Sequence, residues 1–195
     1  MNSNIREFHP YGIYKSGQTK WLIIGTFPIG KFTNPKRKKE IKPHEIDFFY
    51  GGEANLLWSL LGLSYHRTLD SKKKIIDFLE EKKISMADVI KSCRRKKGSA
   101  NDSDLYDIEW NSELGQFVKE NHFEKIYFTS QKAYQWFLQN IGKLEGGEAV
   151  VLLSPSASGV RSFPRLPEYK EWAKTVTLNK KPTVFRELFY QKTFY

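Results

Sequence analysis

The sequence predicts an α/β protein with a parallel sheet covered by helices on both faces. Three observations carry this. Short apolar runs recur along the chain at residues 21–24 (WLII), 125–128 (KIYF) and 149–153 (AVVLL). Segments of helical periodicity separate them, as a parallel sheet with crossover helices requires. Two of the three runs end in loops rich in small residues, GTFPIG and SPSASG, and ligand sites in such sheets collect at the carboxyl ends of the strands.

In chain order, residues 21–24 read as a buried strand ending at Gly25. GTFPIG is then a loop, and the basic stretch 31–42 (KFTNPKRKKEIK) an exposed one. Ala54, Leu57, Trp58 and Leu61 recur at three- and four-residue spacing, which predicts a helix from about Glu53 or Ala54. Residues 72–81 form a second amphipathic helix, while 84–92 fit helix or strand. Residues 93–104 (CRRKKGSANDSD) read as a polar loop and 114–121 as a helix. A strand at 125–128 precedes a helix at 130–139, and a third strand at 149–153 runs into SPSASG. A helix at 168–175 and a helical or mixed C-terminal segment complete the chain.

The 195 residues suit a single domain spanning 1–195 with a sizeable core. Lysines and arginines number 32 against 22 acidic residues, a formal charge of +10, which favours a polyanionic partner over a merely solvated surface. Aromatics at 15% serve core packing and suit stacking on bases. The single cysteine, Cys93, excludes an intrachain disulfide and a cysteine-based zinc site and fits a cytoplasmic protein. His9, His44, His66 and His122 show no ligand spacing, and only His44 lies near a motif. Neither metal nor cofactor is expected. The opening residues do not form a secretory signal, and no apolar run is long enough to cross a bilayer.

Each candidate motif also has a structural reading. In GTFPIG, Gly25, Thr26, Phe27 and Pro28 bring backbone N–H groups to a strand tip, where they can hold a carbonyl or an anion. The motif is neither a dinucleotide fingerprint nor a P-loop, and an ordinary turn accounts for it equally. Ser154, Pro155, Ser156 and Ser158 form a stiff loop of hydroxyls and amides suited to phosphate, or a plain surface turn. Asn55 is either a cap at a helix start or an amide that orients water or reads a base edge. Phe49 and Tyr50 are core residues or stacking partners. Arg94 and Arg95, with Lys96 and Lys97, are a solvated face or a DNA-contacting cluster.

In their order along the chain, these motifs resemble the hypoxanthine-DNA glycosylase branch of the uracil-DNA glycosylase superfamily. The resemblance rests on Gly25-Thr26-Phe27-Pro28, then Phe49-Tyr50, Asn55 and Trp58. It continues with Asp88-Val89, Ser92-Cys93-Arg94, Gly98-Ser99 and Pro155-Ser156-Ala157-Ser158. It spans about residues 21–159. The chain departs from the branch in a longer basic stretch at 31–42, in Thr129-Ser130 for an Asn-Gly pair, in Ala54 for Arg and in Ser154 for Leu. The acidic residue of the Gly-Ser loop aligns with Asn101 or Asp102.

The resemblance implies a three-layer αβα sandwich with a mainly parallel sheet of about four strands. It implies a monofunctional DNA glycosylase that flips uracil or hypoxanthine from DNA and hydrolyses its N-glycosidic bond in base excision repair, without cofactor or metal and as a monomer. The base would lie in a pocket of Gly25, Thr26, Phe27, Pro28 and Tyr50, with Phe27 or Tyr50 as stacking partner. Asn55 would be catalytic, orienting water or touching the base edge. Ser154, Pro155, Ser156, Ser158, Arg94 and Arg95 would contact DNA. A protein that keeps the fold and binds DNA or RNA without catalysis is the alternative, and a different α/β hydrolase or nucleotide-binding protein a third.

Overall fold

The computed structural model describes residues 5–96, 99–144 and 146–194. Lys97 and Gly98 of the basic loop, and Tyr195, lie outside the described residues. The central sheet has four parallel strands: β2 (Trp21–Gly25), β3 (Ile84–Asp88), β6 (Lys125–Phe128) and β7 (Glu148–Val151), in the order β3-β2-β6-β7. The alternation of side chains along each strand divides the core in two. On one face Ile23, Ile84, Met86 and Tyr127 pack against α2 (Leu57–Ser64), α3 (Lys72–Lys82) and α7 (Lys181–Phe194). On the other, Leu22, Ile24, Ile126 and Phe128 pack against α4 (Ser112–Glu120) and α5 (Gln131–Asn140). This is the expected three-layer αβα arrangement.

Ser71 and Ser130 fix the starts of α3 and α5 by accepting backbone N–H groups of Lys74 and Ala133, so both helices begin where a hydroxyl caps them. The helix expected from Glu53 or Ala54 begins instead at Leu57. Residues 54–56 are held out of helical geometry by pairing with the SPSASG loop: Leu56 N–H donates to Pro155 O, and Ala157 N–H to Ala54 O. The ambiguous segment 84–92 resolves into β3 and the start of β4 (Ile90–Arg95). The expected polar loop is correspondingly shorter, because Cys93, Arg94 and Arg95 belong to β4.

A second sheet, without a signal in the sequence pattern, is antiparallel and of order β1-β4-β5, built from β1 (Arg6–Phe8), β4 and β5 (Leu105–Trp110). It lies beside the tip of β3 and carries the chain's N-terminal segment across the carboxyl end of the main sheet. Two short helices, α1 (Gly30–Thr33) and α6 (Pro167–Thr175), complete the elements. No helix among the described residues is long and apolar enough to cross a membrane.

Candidate functional site

At the carboxyl ends of β2, β3, β6 and β7 lies a cavity of about 590 Å³. Its walls come from the GTFPIG loop, the Phe48–Asn55 segment, Asp88, residues 100–102, Thr129-Ser130 and the SPSASG loop with Arg161. Thr26, Phe27, Pro28, Tyr50, Asn55, Ser154, Pro155, Ser156 and Ser158 therefore line one space, although up to 132 positions separate them in sequence.

Gly25 is the hinge of the arrangement. A Cβ placed there would lie 1.8 Å from the Tyr50 hydroxyl and 2.3 Å from Asp88 Oδ1. Only glycine lets these two side chains close over the strand tip. Tyr50 sits in the left-handed region (φ 56°), a conformation that non-glycine residues adopt where surrounding structure imposes it. The constraints are visible. The next residue, Gly51, lies so close to Ile46 O that a Cβ would fall at 1.8 Å, and Trp58 Nε1 donates to Phe49 O at 2.7 Å. The latter bond accounts for a tryptophan three residues after Asn55: it pins the aromatic pair from the first turn of α2. Phe49 itself is core, while Tyr50 donates its hydroxyl to Thr129 Oγ1 at 3.2 Å. Burial and the Asp88 charge push the Tyr50 phenol well above its ordinary value, so it remains a neutral donor.

Asn55 fulfils both readings. Its Oδ1 accepts the Leu57 N–H at 3.0 Å, at the start of α2. Its NH2 group makes no hydrogen bond among the described residues, and Asn55 lines the cavity. The backbone N–H groups of Thr26 and Phe27 likewise have no acceptor among the described residues. The cavity thus offers three unengaged donors. Facing the Thr26 hydroxyl is Asp102. Burial raises its carboxyl above the ordinary range and the Asp88 charge adds to this, while the Thr26 hydrogen bond, Lys132 and Arg95 pull it back.

The SPSASG loop is held from behind by residues the sequence reading left out. Arg186 on α7, 2% exposed, donates Nη1 to Ser156 O at 2.8 Å and to Ser154 O at 3.1 Å. Tyr190, one turn later, donates to Leu153 O at 2.9 Å. Arg186 pairs with no carboxylate among the described residues, and burial lowers its guanidinium below the ordinary value. Its charge therefore lies unneutralised beneath the loop. On the loop's outer side the Ser156 and Ser158 hydroxyls lie 3.0 Å apart and exposed, and Arg161 adds an exposed cation to the rim.

The two arginines expected to meet DNA are both engaged within the fold. Arg95 is buried, with Nε on Glu7 at 3.1 Å and Nη2 on Pro28 O at 2.7 Å. Its charge anchors the GTFPIG loop instead of facing solvent, because β4 runs through a position expected to be loop. Arg94 pairs with Asp107 on the small sheet at 2.9 Å, away from the cavity lining. Lys36, Lys38 and Lys39, in the 3-10 helix Pro35–Glu40, are exposed cations without an ion pair among the described residues. The residues on either side of that helix are tied together at Glu45, whose carboxylate meets Lys31 and accepts the N–H groups of Lys42 and Glu53.

Among the histidines, His44 is exposed beside Glu53, whereas His9 is buried against Asp88, a residue of the cavity wall. No periodicity or motif marks His9 in the sequence; β1 delivers it. Among the described residues, no group of three or more His, Cys, Asp or Glu side chains is placed to hold a metal ion.

No family model matches the chain, and no curated protein matches it. Among solved structures, the chain resembles the solution structure of a protein from Methanosarcina acetivorans described as a putative uracil DNA glycosylase. The TM-score is 0.59 and the identity 23%, over 98% of this chain and 100% of that one. The likeness is one of fold and extends over the whole α/β sandwich.

Proposed function

We propose that the chain is a DNA glycosylase that hydrolyses the N-glycosidic bond of a deaminated base, uracil or hypoxanthine, flipped out of DNA. One observation carries the reading: residues from all four motifs of the resemblance meet around one cavity whose unengaged donors and phosphate-suited loop lie side by side.

The flipped base enters between the GTFPIG loop and Tyr50. The bond from C1′ to the base nitrogen breaks with its electron pair leaving on the base. The Thr26 and Phe27 N–H groups and the Asn55 NH2 donate to the base as this charge grows, in the manner of an oxyanion hole. Water supplies hydroxide to C1′, and its proton neutralises the departing base. Asn55 acts here through its NH2, which has no hydrogen-bond partner among the described residues, while its Oδ1 accepts the Leu57 N–H. Ser156, Ser158 and Arg161 grip the phosphates beside the flipped nucleotide, with the Arg186 charge behind them. Lys36, Lys38 and Lys39 supply salt-sensitive, sequence-independent affinity.

The test is incubation with oligonucleotides carrying one uracil, one hypoxanthine or no lesion, followed by alkaline cleavage of abasic sites. Lesion-dependent cleavage supports the reading. DNA binding without any product would replace it with a catalytically silent binder, and absence of both would remove nucleic acid from consideration.

A further inference from the structure

β1 reverses the usual polarity of a strand: it exposes Phe8 (60%) and buries Glu7 (4%). Glu7 stands opposite Cys93 in the antiparallel register, so Arg95, two residues further along β4, shares its face. Both side chains are buried, and Arg95 Nε donates to Glu7 Oε2 at 3.1 Å. The same oxygen accepts the Thr33 hydroxyl of α1 at 2.6 Å. A Cβ placed at Gly30 would lie 3.4 Å from the other carboxylate oxygen, so the chain entering α1 runs directly against Glu7. None of Glu7, Thr33 and Arg95 lines the cavity.

A buried ion pair carries a desolvation cost that apolar side chains of the same volume avoid. Apolar side chains, however, cannot hold a carbonyl. Arg95 Nη2 donates to Pro28 O at 2.7 Å, and its guanidinium lies over the Phe27 ring, 5.9 Å from the centroid. Two further carbonyls of the GTFPIG loop are held by backbone: Gly25 O accepts the Val89 N–H at 3.0 Å, and Thr26 O the Ile90 N–H at 3.2 Å. In a trans peptide the carbonyl and the following N–H point in opposite directions across one plane. The N–H groups of Thr26, Phe27 and Ile29 therefore each turn away from the group that holds the preceding carbonyl. None of the three has an acceptor among the described residues, and all three residues line the cavity. The first two peptides are fixed by backbone. The third, Pro28–Ile29, has Arg95 as the partner of its carbonyl.

We propose that Glu7 and Arg95 are positioning residues for the N–H groups of the GTFPIG loop: Glu7 orients Arg95, and Arg95 fixes the Pro28–Ile29 peptide and with it the end of the loop. This rests on the glycosylase reading above and deepens it. Donors stabilise a leaving base fully only if they are already aimed when its charge develops, because turning a peptide during the step consumes part of the stabilisation. The pair thus acts on the rate of base release. It does not act on DNA affinity, since neither side chain reaches the cavity.

The experiment compares the full chain with Glu7→Leu/Thr33→Val/Arg95→Met, which replaces the pair and the hydroxyl that depends on it by apolar side chains. Such replacements of buried ion pairs are often neutral or stabilising, and thermal unfolding checks that the variant folds. Single-turnover release of uracil or hypoxanthine should fall roughly 100-fold, the loss that accompanies a displacement of about 1 Å or one missing donor. Affinity for lesion-free DNA, read by fluorescence anisotropy, should not change. Glu7→Gln, whose amide oxygen still accepts from Arg95, should recover most of the rate. Arg95→Lys keeps the charge beside Glu7 without the planar fork that spans two acceptors; it should also be slow, and it decides the matter if the triple variant does not fold. Natural rates in the folded triple variant or in Arg95→Lys would overturn the proposal, as would a loss of rate matched by an equal loss of DNA affinity. Amide NMR of the free proteins needs no activity: the Phe27 and Ile29 resonances should move while those of β6 and β7 stay in place, and unmoved resonances would also overturn it. Failure of the glycosylase reading looks different: the natural chain itself yields no abasic product, while the Ile29 amide still responds to the substitutions.

Discussion

Replacing Arg186 with methionine separates the electrostatic role of this residue from its structural one. Its Nη1 donates to two carbonyls of the SPSASG loop. Hydrogen bonds from a charged donor contribute about 1.5–3 kcal/mol each. Against this stands a buried guanidinium without a carboxylate partner, with Nε unsatisfied; the penalty for such a charge is several kcal/mol. Methionine fills similar volume beside Phe163, over whose ring the guanidinium now lies. The two contributions nearly cancel, and stability should change by no more than about 2 kcal/mol. DNA affinity should not escape so lightly. A unit charge roughly 8 Å from a phosphate, at an effective dielectric of about 20, contributes about 2 kcal/mol, or roughly 30-fold in Kd. Thermal unfolding and fluorescence anisotropy at two salt concentrations read the two effects separately. A large drop in melting temperature with unchanged affinity for the folded variant would refute the reasoning, because Arg186 would then be a loop anchor alone.

Asn55→Ala is expected to abolish base release while costing about 1 kcal/mol, because the Leu57 N–H is left uncapped. Asn55→Asp keeps the acceptor for Leu57 and removes only the NH2, so single-turnover assays should find it nearly as inactive; retained activity would exclude the NH2 donor. Acid unfolding should depend on Glu45. Burial raises its carboxyl, but Lys31 and the N–H groups of Lys42 and Glu53 outweigh this and hold it at about 2. A folded value below the unfolded one stabilises the protein above about 4.5, and that contribution is lost as pH falls through about 2; Glu45→Gln should remove this part of the pH dependence in melting curves. Replacing Lys36, Lys38 and Lys39 with alanine should weaken DNA binding equally for all sequences. It should also lower the slope of log affinity against log salt by up to about one for each phosphate no longer neutralised.

Those expectations draw on features of unequal visibility in the sequence. The parallel sheet was legible because β2 and β6 are continuous apolar runs ending in small residues, and helices between them keep strong periodicity. The small sheet was not. β1 has three residues, and β5 reads LYDIEW with only Leu105 buried, so neither carries a recognisable pattern; β4 hides in a basic run because its arginines fold back onto Glu7 and Asp107. In the site, Gly25, Tyr50, Asn55 and the serine loop were found because each sits in an ordered local motif. His9, Arg161 and Arg186 were not, since their roles arise from long-range placement: 79 positions separate His9 from Asp88, and 30 and 32 separate Arg186 from the carbonyls it holds.

These long-range contacts share a design that bears on how the cavity keeps its shape. The cavity lies at strand ends, where loops have no ladder to fix them. Each of its three polar walls is instead held by a buried ionisable side chain from a different segment. Arg95 holds Pro28 O, Arg186 holds Ser154 and Ser156, and His9 holds Asp88. An apolar side chain could fill the same space with less desolvation cost, but it could not aim a carbonyl or a carboxylate oxygen. The buried polar groups therefore exchange stability for direction. The exchange leaves two buried atoms without a hydrogen-bond partner among the described residues, Arg186 Nε and Asp88 Oδ1. Arg186 sits behind the loop suited to phosphate, and Asp88 stands among the cavity walls.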